Sequence, residues 1–125
     1  MILVDASIWV DHLRRGVPAL FGLLERGQVL THSFVIGEIA LGNLPNRARF
    51  LAELRKLPHA IAATDEEAIA LIDQHALSGR GIGFVDLHLV AATLLTPDAN
   101  LWTRDRRLAK VVSQLGLAPT NLPAH

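Results

Sequence analysis

Four of the twelve acidic residues in this 125-residue chain stand apart because of what surrounds them. Asp5 ends the apolar run Ile2-Leu3-Val4, and Glu38 lies among Ile36, Ile39 and Leu41 with no basic residue within a helical turn. Asp86 enters the apolar stretch that begins Phe84-Val85, and Asp105 follows Leu101-Trp102-Thr103 closely. Carboxylates are seldom buried alone, because desolvation costs several kcal/mol per ion. Two of them ~4 Å apart repel by about 4 kcal/mol at an effective dielectric of 20. If these four converge, a cation belongs among them. A hard divalent ion, Mg²⁺ or Mn²⁺, suits oxygen ligands and keeps waters that a substrate can displace. Zinc is disfavoured, since the chain has no cysteine and no His-x-x-x-His spacing.

Each acid also has a plainer reading. Asp5 fits an N-cap at a strand-to-helix turn, and Asp86 and Asp105 fit the first turns of helices, where negative charge complements the dipole. Glu38, in mid-helix, has no such role. The other acids read as structural: Asp65, Glu66 and Glu67 at a helix start, Asp11, Glu25, Glu53 and Asp73 on solvated faces, and Asp98 in a Pro-Asp turn.

The elements that must position the acids follow from hydrophobic period and breakers. A buried strand over 2–5 delivers Asp5 to the carboxyl edge of a sheet, where open α/β folds bind ligands. Ser7 reads as the cap of a helix that stops at Gly16, and Pro18 opens a second helix closed by Gly27. A strand over 28–32 leads to a helix capped by Ser33 that carries Glu38. A polar helix over 47–57 follows, then a weak strand over 59–63. Thr64 and Glu67 form a capping box for a helix reaching 77. The loop 78–83, rich in glycine, leads to a helix over 84–95. A strand over 100–103 and a last helix from 104 to 116 carry Asp105, with a short final strand at 117–118. His88 reads as a packed residue rather than a ligand. Alternating strands and helices with short connections imply α/β architecture: a three-layer α/β/α sandwich around a parallel sheet of four to five strands, in one domain over 1–125.

Half the residues are hydrophobic and only 5% aromatic, so the core is aliphatic, and mean hydropathy is +0.32. A chain of this length buries roughly two-thirds of its unfolded surface, enough for a real core. The absence of cysteine, of a basic leader and of a run near ~18 apolar residues points to a cytoplasmic protein without a membrane span. Twelve basic residues balance twelve acidic ones. Nucleic-acid binding must therefore rest on a local patch, for which Arg104, Arg106, Arg107 and Lys110, with Arg14, Arg15 and Arg80, are the candidates.

Four segments in order resemble the PIN-domain ribonucleases, and among them the VapC toxins of bacterial toxin–antitoxin pairs: Ile2-Leu3-Val4-Asp5-Ala6-Ser7-Ile8-Trp9-Val10, Gly37-Glu38-Ile39, Phe84-Val85-Asp86-Leu87-His88-Leu89-Val90-Ala91-Ala92 and Leu101-Trp102-Thr103-Arg104-Asp105-Arg106-Arg107-Leu108. The resemblance implies that Asp5, Glu38, Asp86 and Asp105 form an acidic metal site for Mg²⁺ or Mn²⁺, with Ser7 and Thr103 as supporting hydroxyls. It implies an endoribonuclease, with Arg80, Arg104, Arg106 and Arg107 toward an RNA substrate such as tRNA or rRNA, a VapB-like antitoxin as partner, and a homodimer. VapC-like sequences often carry a further acid where this chain has Arg107. A non-toxic RNA-processing nuclease and a protein-binding module with a vestigial site are the alternatives.

Overall fold

The computed structural model describes residues 1–120 and 122. Its elements are β1 (Ile2–Val4), α1 (Ala6–Arg15), α2 (Pro18–Glu25), β2 (Val29–Leu30), α3 (Ser33–Ala40), α4 (Arg47–Arg55), α5 (Asp65–Gln74), α6 (Phe84–Leu95), β3 (Asn100–Trp102) and α7 (Arg106–Gln114). The strands form one parallel sheet in the order β2-β1-β3, with Leu3 opposite both Leu30 and Leu101 and Val4 opposite Trp102. Successive strand residues point to opposite faces. Leu3 and Val4 are both fully buried, so both faces of the central strand are covered, which is the layering expected of a parallel sheet between helices.

Among the described residues the sheet has three strands, not four to five. The segment after Pro58 makes only a single parallel bridge, Thr31 with His59. Two bonds flank it, Thr31 N–H to Pro58 O and Ala60 N–H to Thr31 O, both 2.9 Å. The ladder ends there because the chain after Thr31 turns into α3, with His32 as its N-cap; the Ile61 amide, facing away from β2, donates to the Thr96 hydroxyl at 2.8 Å. Residues 117–118 run beside β3, and Leu101 N–H donates to Leu117 O at 3.0 Å. Pro119 then lacks the amide that a longer ladder would use.

At α1 the structure decides between two expected caps, and at α3 the cap differs from expectation. Asp5 caps α1, accepting from the Ala6 amide, which leaves Ser7 inside the helix. At α3 the imidazole of His32 accepts from the Phe34 amide at 2.9 Å, displacing Ser33 from that role. The capping box of Thr64 and Glu67 forms as expected, with bonds of 2.9 and 3.1 Å. Helix α6 spans the expected residues, whereas the helix carrying Asp105 begins only at Arg106, with Asp105 as its N-cap.

The main core gathers β1, β2 and β3 with the inner faces of α1, α3, α4 and α6. A smaller apolar cluster, Ala68, Leu77, Leu87, Ala91 and Val111, joins α5 and α7 to the other side of α6. These two clusters fix α3 and α6 against the sheet, and those helices carry two of the four acids. Among the described residues no helix is long and apolar enough to cross a membrane.

Candidate metal centre

Parallel pairing puts all three strand ends on one edge. Because Val4 sits opposite Trp102, the next residues, Asp5 and Thr103, are neighbours there. The Asp5 amide donates to Trp102 O at 3.0 Å, which locks that register. Asp5 is buried, and three donors surround its carboxylate. The Ala6 amide donates to Oδ1 at 2.8 Å, while the Ser7 and Thr103 hydroxyls donate to Oδ2 at 2.8 and 2.7 Å. The Arg104 amide donates to Ser7 Oγ at 3.0 Å, and the Asp105 amide to Thr103 Oγ1 at 3.1 Å. One connected set of hydroxyls thus ties the start of α1 to the chain leaving β3.

The other acids approach this edge from helix starts and a helix face. The Asp86 carboxylate reaches back to accept the Gly83 amide at 3.1 Å, closing the first turn of α6, whose cap glycine has no side chain to help. Asp105 Oδ1 accepts the Leu108 amide at 3.0 Å. Among the described residues no hydrogen bond holds the Glu38 side chain. That side chain is exposed, but partial desolvation against the protein pushes its carboxyl above the usual carboxylate range, and the charges of Asp5 and Asp86 push it further. Asp86 is likewise raised, first by burial and then by Asp5 and Asp105, against the lowering effect of the Gly83 amide.

These couplings link all four acids in one field. Among the described residues no Lys or Arg pairs with any of them. Nor do any three His, Asp or Glu side chains among those residues close into a cage around one point. The arrangement is an open, anionic rim. Such a donor set fits Mg²⁺ or Mn²⁺: the ligands are oxygens, the like charges lack a counter-ion, and Mg²⁺ needs only one or two carboxylates because it retains waters. A cavity of about 570 Å³ lined by His12, Val17, Pro18, Phe21 and Glu25 lies elsewhere and holds none of the four.

A family model described as PIN domain matches residues 2–113. The chain belongs to the PIN domain family. Two proteins of Mycobacterium tuberculosis, from strains CDC 1551 / Oshkosh and ATCC 25618 / H37Rv and both called Ribonuclease VapC32, are 39% identical to this PIN domain over 118 residues, covering 94% of this chain and 95% of theirs.

The basic candidates of this PIN domain divide into three groups. Arg104 reaches Asp11 Oδ2 at 3.2 Å. Arg80 donates to Gln114 Oε1 at 2.7 Å, and Arg107 lies so close to Gly81 that a Cβ there would sit 2.6 Å from its Cδ. Gly81 has a φ of +80°, and the glycine loop is therefore tied to α7 by two arginines rather than loose. Arg106 is exposed. His88 is packed, as expected, with Nε2 2.9 Å from Asp65 Oδ1. Sequence reasoning set Asp11 aside as a solvated acid, yet it binds two arginines. Its spacing of four from Arg15 was the available signal, while Arg104 is 93 positions away.

The hydroxyls offer a direct test. Ser7→Ala and Thr103→Val each remove one donor from Asp5 Oδ2. Loss of an outer support of this kind typically costs 10–100-fold in metal affinity or activity. Each variant is expected to fall in that range when Mg²⁺-dependent turnover is titrated, and the double variant below either. Unchanged metal titrations would reduce both hydroxyls to helix-start contacts.

Proposed function

We propose that this protein is a metal-dependent endoribonuclease acting as the toxin of a VapBC-type pair, with Asp5, Glu38, Asp86 and Asp105 as its metal-binding and catalytic acids. What carries the reading is the placement of Asp5, Asp86 and Asp105 at the carboxyl edge of a parallel sheet, with Glu38 coupled to Asp5 and Asp86 and, among the described residues, no basic partner on any of the four. Membership of the PIN family and the printed name of the similar mycobacterial proteins support the same activity.

When bound, Mg²⁺ or Mn²⁺ supplies Lewis acidity, lowering the pKa of water and offsetting charge on the phosphate. The chain supplies placement. Asp5, fixed by the Ser7 and Thr103 hydroxyls and the Ala6 amide, is the central ligand. Asp86, pinned at the start of α6, and Glu38 would hold the ion directly or through a bound water. Asp105, the N-cap of α7, would complete the rim. Around the acids, Arg104, Arg106, Arg107 and Arg80 offset the repulsion that a polyanion meets there.

A VapB-like antitoxin, an RNA such as tRNA or rRNA, a homodimeric state and a cytoplasmic location complete the proposal. Induction of the protein in a bacterial host should arrest growth, with relief by the product of a small adjacent gene, and sequencing of RNA ends should reveal new, defined termini. Cleavage without arrest would favour a non-toxic RNA-processing nuclease, and arrest without new RNA ends would remove the ribonuclease reading. Light scattering at micromolar concentration should give twice the chain mass; a monomer would refute the dimer.

A further inference from the structure

Beside the acidic rim lies a second cavity, of about 350 Å³, lined by Ser7, Val10, Asp11, Arg14, Arg15 and Arg104. We infer that it is a phosphate subsite, taking a backbone phosphate of the RNA strand next to the one at the acids. The inference rests on the ribonuclease reading for the identity of the strand.

The cavity is built around Asp11. Arg15 donates to that carboxylate in a two-pronged contact, Nε to Oδ1 at 2.7 Å and Nη2 to Oδ2 at 2.9 Å, and Arg104 Nη2 adds a third bond at 3.2 Å. Arg104 is steadied further by the Trp102 ring, 6.0 Å from its guanidinium carbon. The exposures set the polarity. The Asp11 side chain is 22% exposed, while Arg15 and Arg104 are 70% and 47% exposed. The carboxylate sits inside and holds the guanidinium groups outward, with N–H donors left over for an incoming anion. With Arg14, three positive groups against one negative leave the lining positive by two charges.

Continuity with the acids names the occupant. Ser7 lines this cavity and its hydroxyl donates to Asp5, while the Arg104 amide donates back to Ser7. The positive cavity and the negative rim therefore share a wall. A strand with one phosphate at Asp5 passes this wall on one side, and planar guanidinium groups are the side chains best suited to bind a phosphate in a fixed orientation. Four carboxylates repel the strand, and a net positive cavity one residue away supplies the compensating attraction.

The test is equilibrium binding of a labelled, mixed-sequence single-stranded RNA in EDTA, followed by cleavage kinetics of the holoenzyme in Mg²⁺. Arg15→Ala with Arg104→Ala should weaken binding about tenfold and flatten the salt dependence by roughly 0.7 in log–log slope, the share of one single-strand phosphate. In Mg²⁺ it should raise KM more than it lowers kcat, the mark of lost ground-state binding. Arg15→Lys with Arg104→Lys, which keeps charge but not the planar donors, should lie between, and guards against misfolding of the alanine form. Arg49→Ala with Arg55→Ala removes equal charge from α4 and should change neither slope nor KM. RNA binding and KM no more affected than in that control would overturn the subsite, as would loss of an acidic protein partner with RNA binding intact. Binding that depends on the pair in a protein that cuts no RNA would uphold the subsite and sink the ribonuclease reading instead.

Discussion

Asp86→Asn is expected to give a folded protein that cleaves RNA about 10³-fold more slowly. Asparagine retains an oxygen for the Gly83 amide, now held at 3.1 Å, so the first turn of α6 keeps its closure. What it loses is one unit of negative charge in the field that joins Asp86 to Asp5 and Asp105. Charge stabilisation by a catalytic metal amounts to several kcal/mol, and 1.36 kcal/mol is tenfold in rate, so partial loss of that stabilisation reaches the stated size. Single-turnover cleavage beside circular dichroism decides the matter. A rate within tenfold of wild type would remove Asp86 from the metal site, and collapse of the fold would mark it as a helix cap alone.

The acids were legible in sequence because each interrupts an apolar run, although only Asp5 proves buried, with Asp86 half-buried and Glu38 and Asp105 exposed. Asp5 after Ile2-Leu3-Val4 and Glu38 inside an apolar helix each break a hydrophobic run without a nearby base, and both lie where expected relative to the strand ends. The α/β alternation was legible for a related reason: helix period, Pro18 and Gly16 punctuate locally. The sheet edge was not. Residues 59–63 look like a strand by composition, but their neighbour leaves the sheet at His32 to begin α3, and 117–118 meets Pro119 before a ladder can grow. Caps were legible in part. At α1 Asp5, as good a cap as Ser7 on propensity, holds the position, and at α3 His32 takes it from Ser33, the better cap on propensity. Asp11 was misread because its second partner, Arg104, arrives from β3, and only the parallel register brings α1 and that segment together.

The raised carboxyls of Glu38 and Asp86 make a prediction about stability that the ion should invert. A group whose folded pKa lies above its unfolded value gives the fold an advantage at low pH that is lost as pH rises through the folded pKa. Without metal, the wild type is thus penalised at pH 7 by both acids. His12 and His32, lowered mainly by burial, work in the opposite sense, losing stability as pH falls. Comparison with Glu38→Gln/Asp86→Asn cancels the histidines. In EDTA the double variant should melt above wild type at pH 7, with the gap closing as pH falls through the range in which the wild-type acids also become neutral. With Mg²⁺ at a hundredfold excess over its Kd, wild type should gain about 2.7 kcal/mol, roughly 10 °C in Tm for a chain of this length, and the variant little. The order of melting at pH 7 therefore reverses on adding the ion. Equal Mg²⁺ responses in the two proteins would place the ion elsewhere, and a variant less stable than wild type in EDTA would show that the carboxylates support the fold, instead of straining it in favour of the ion.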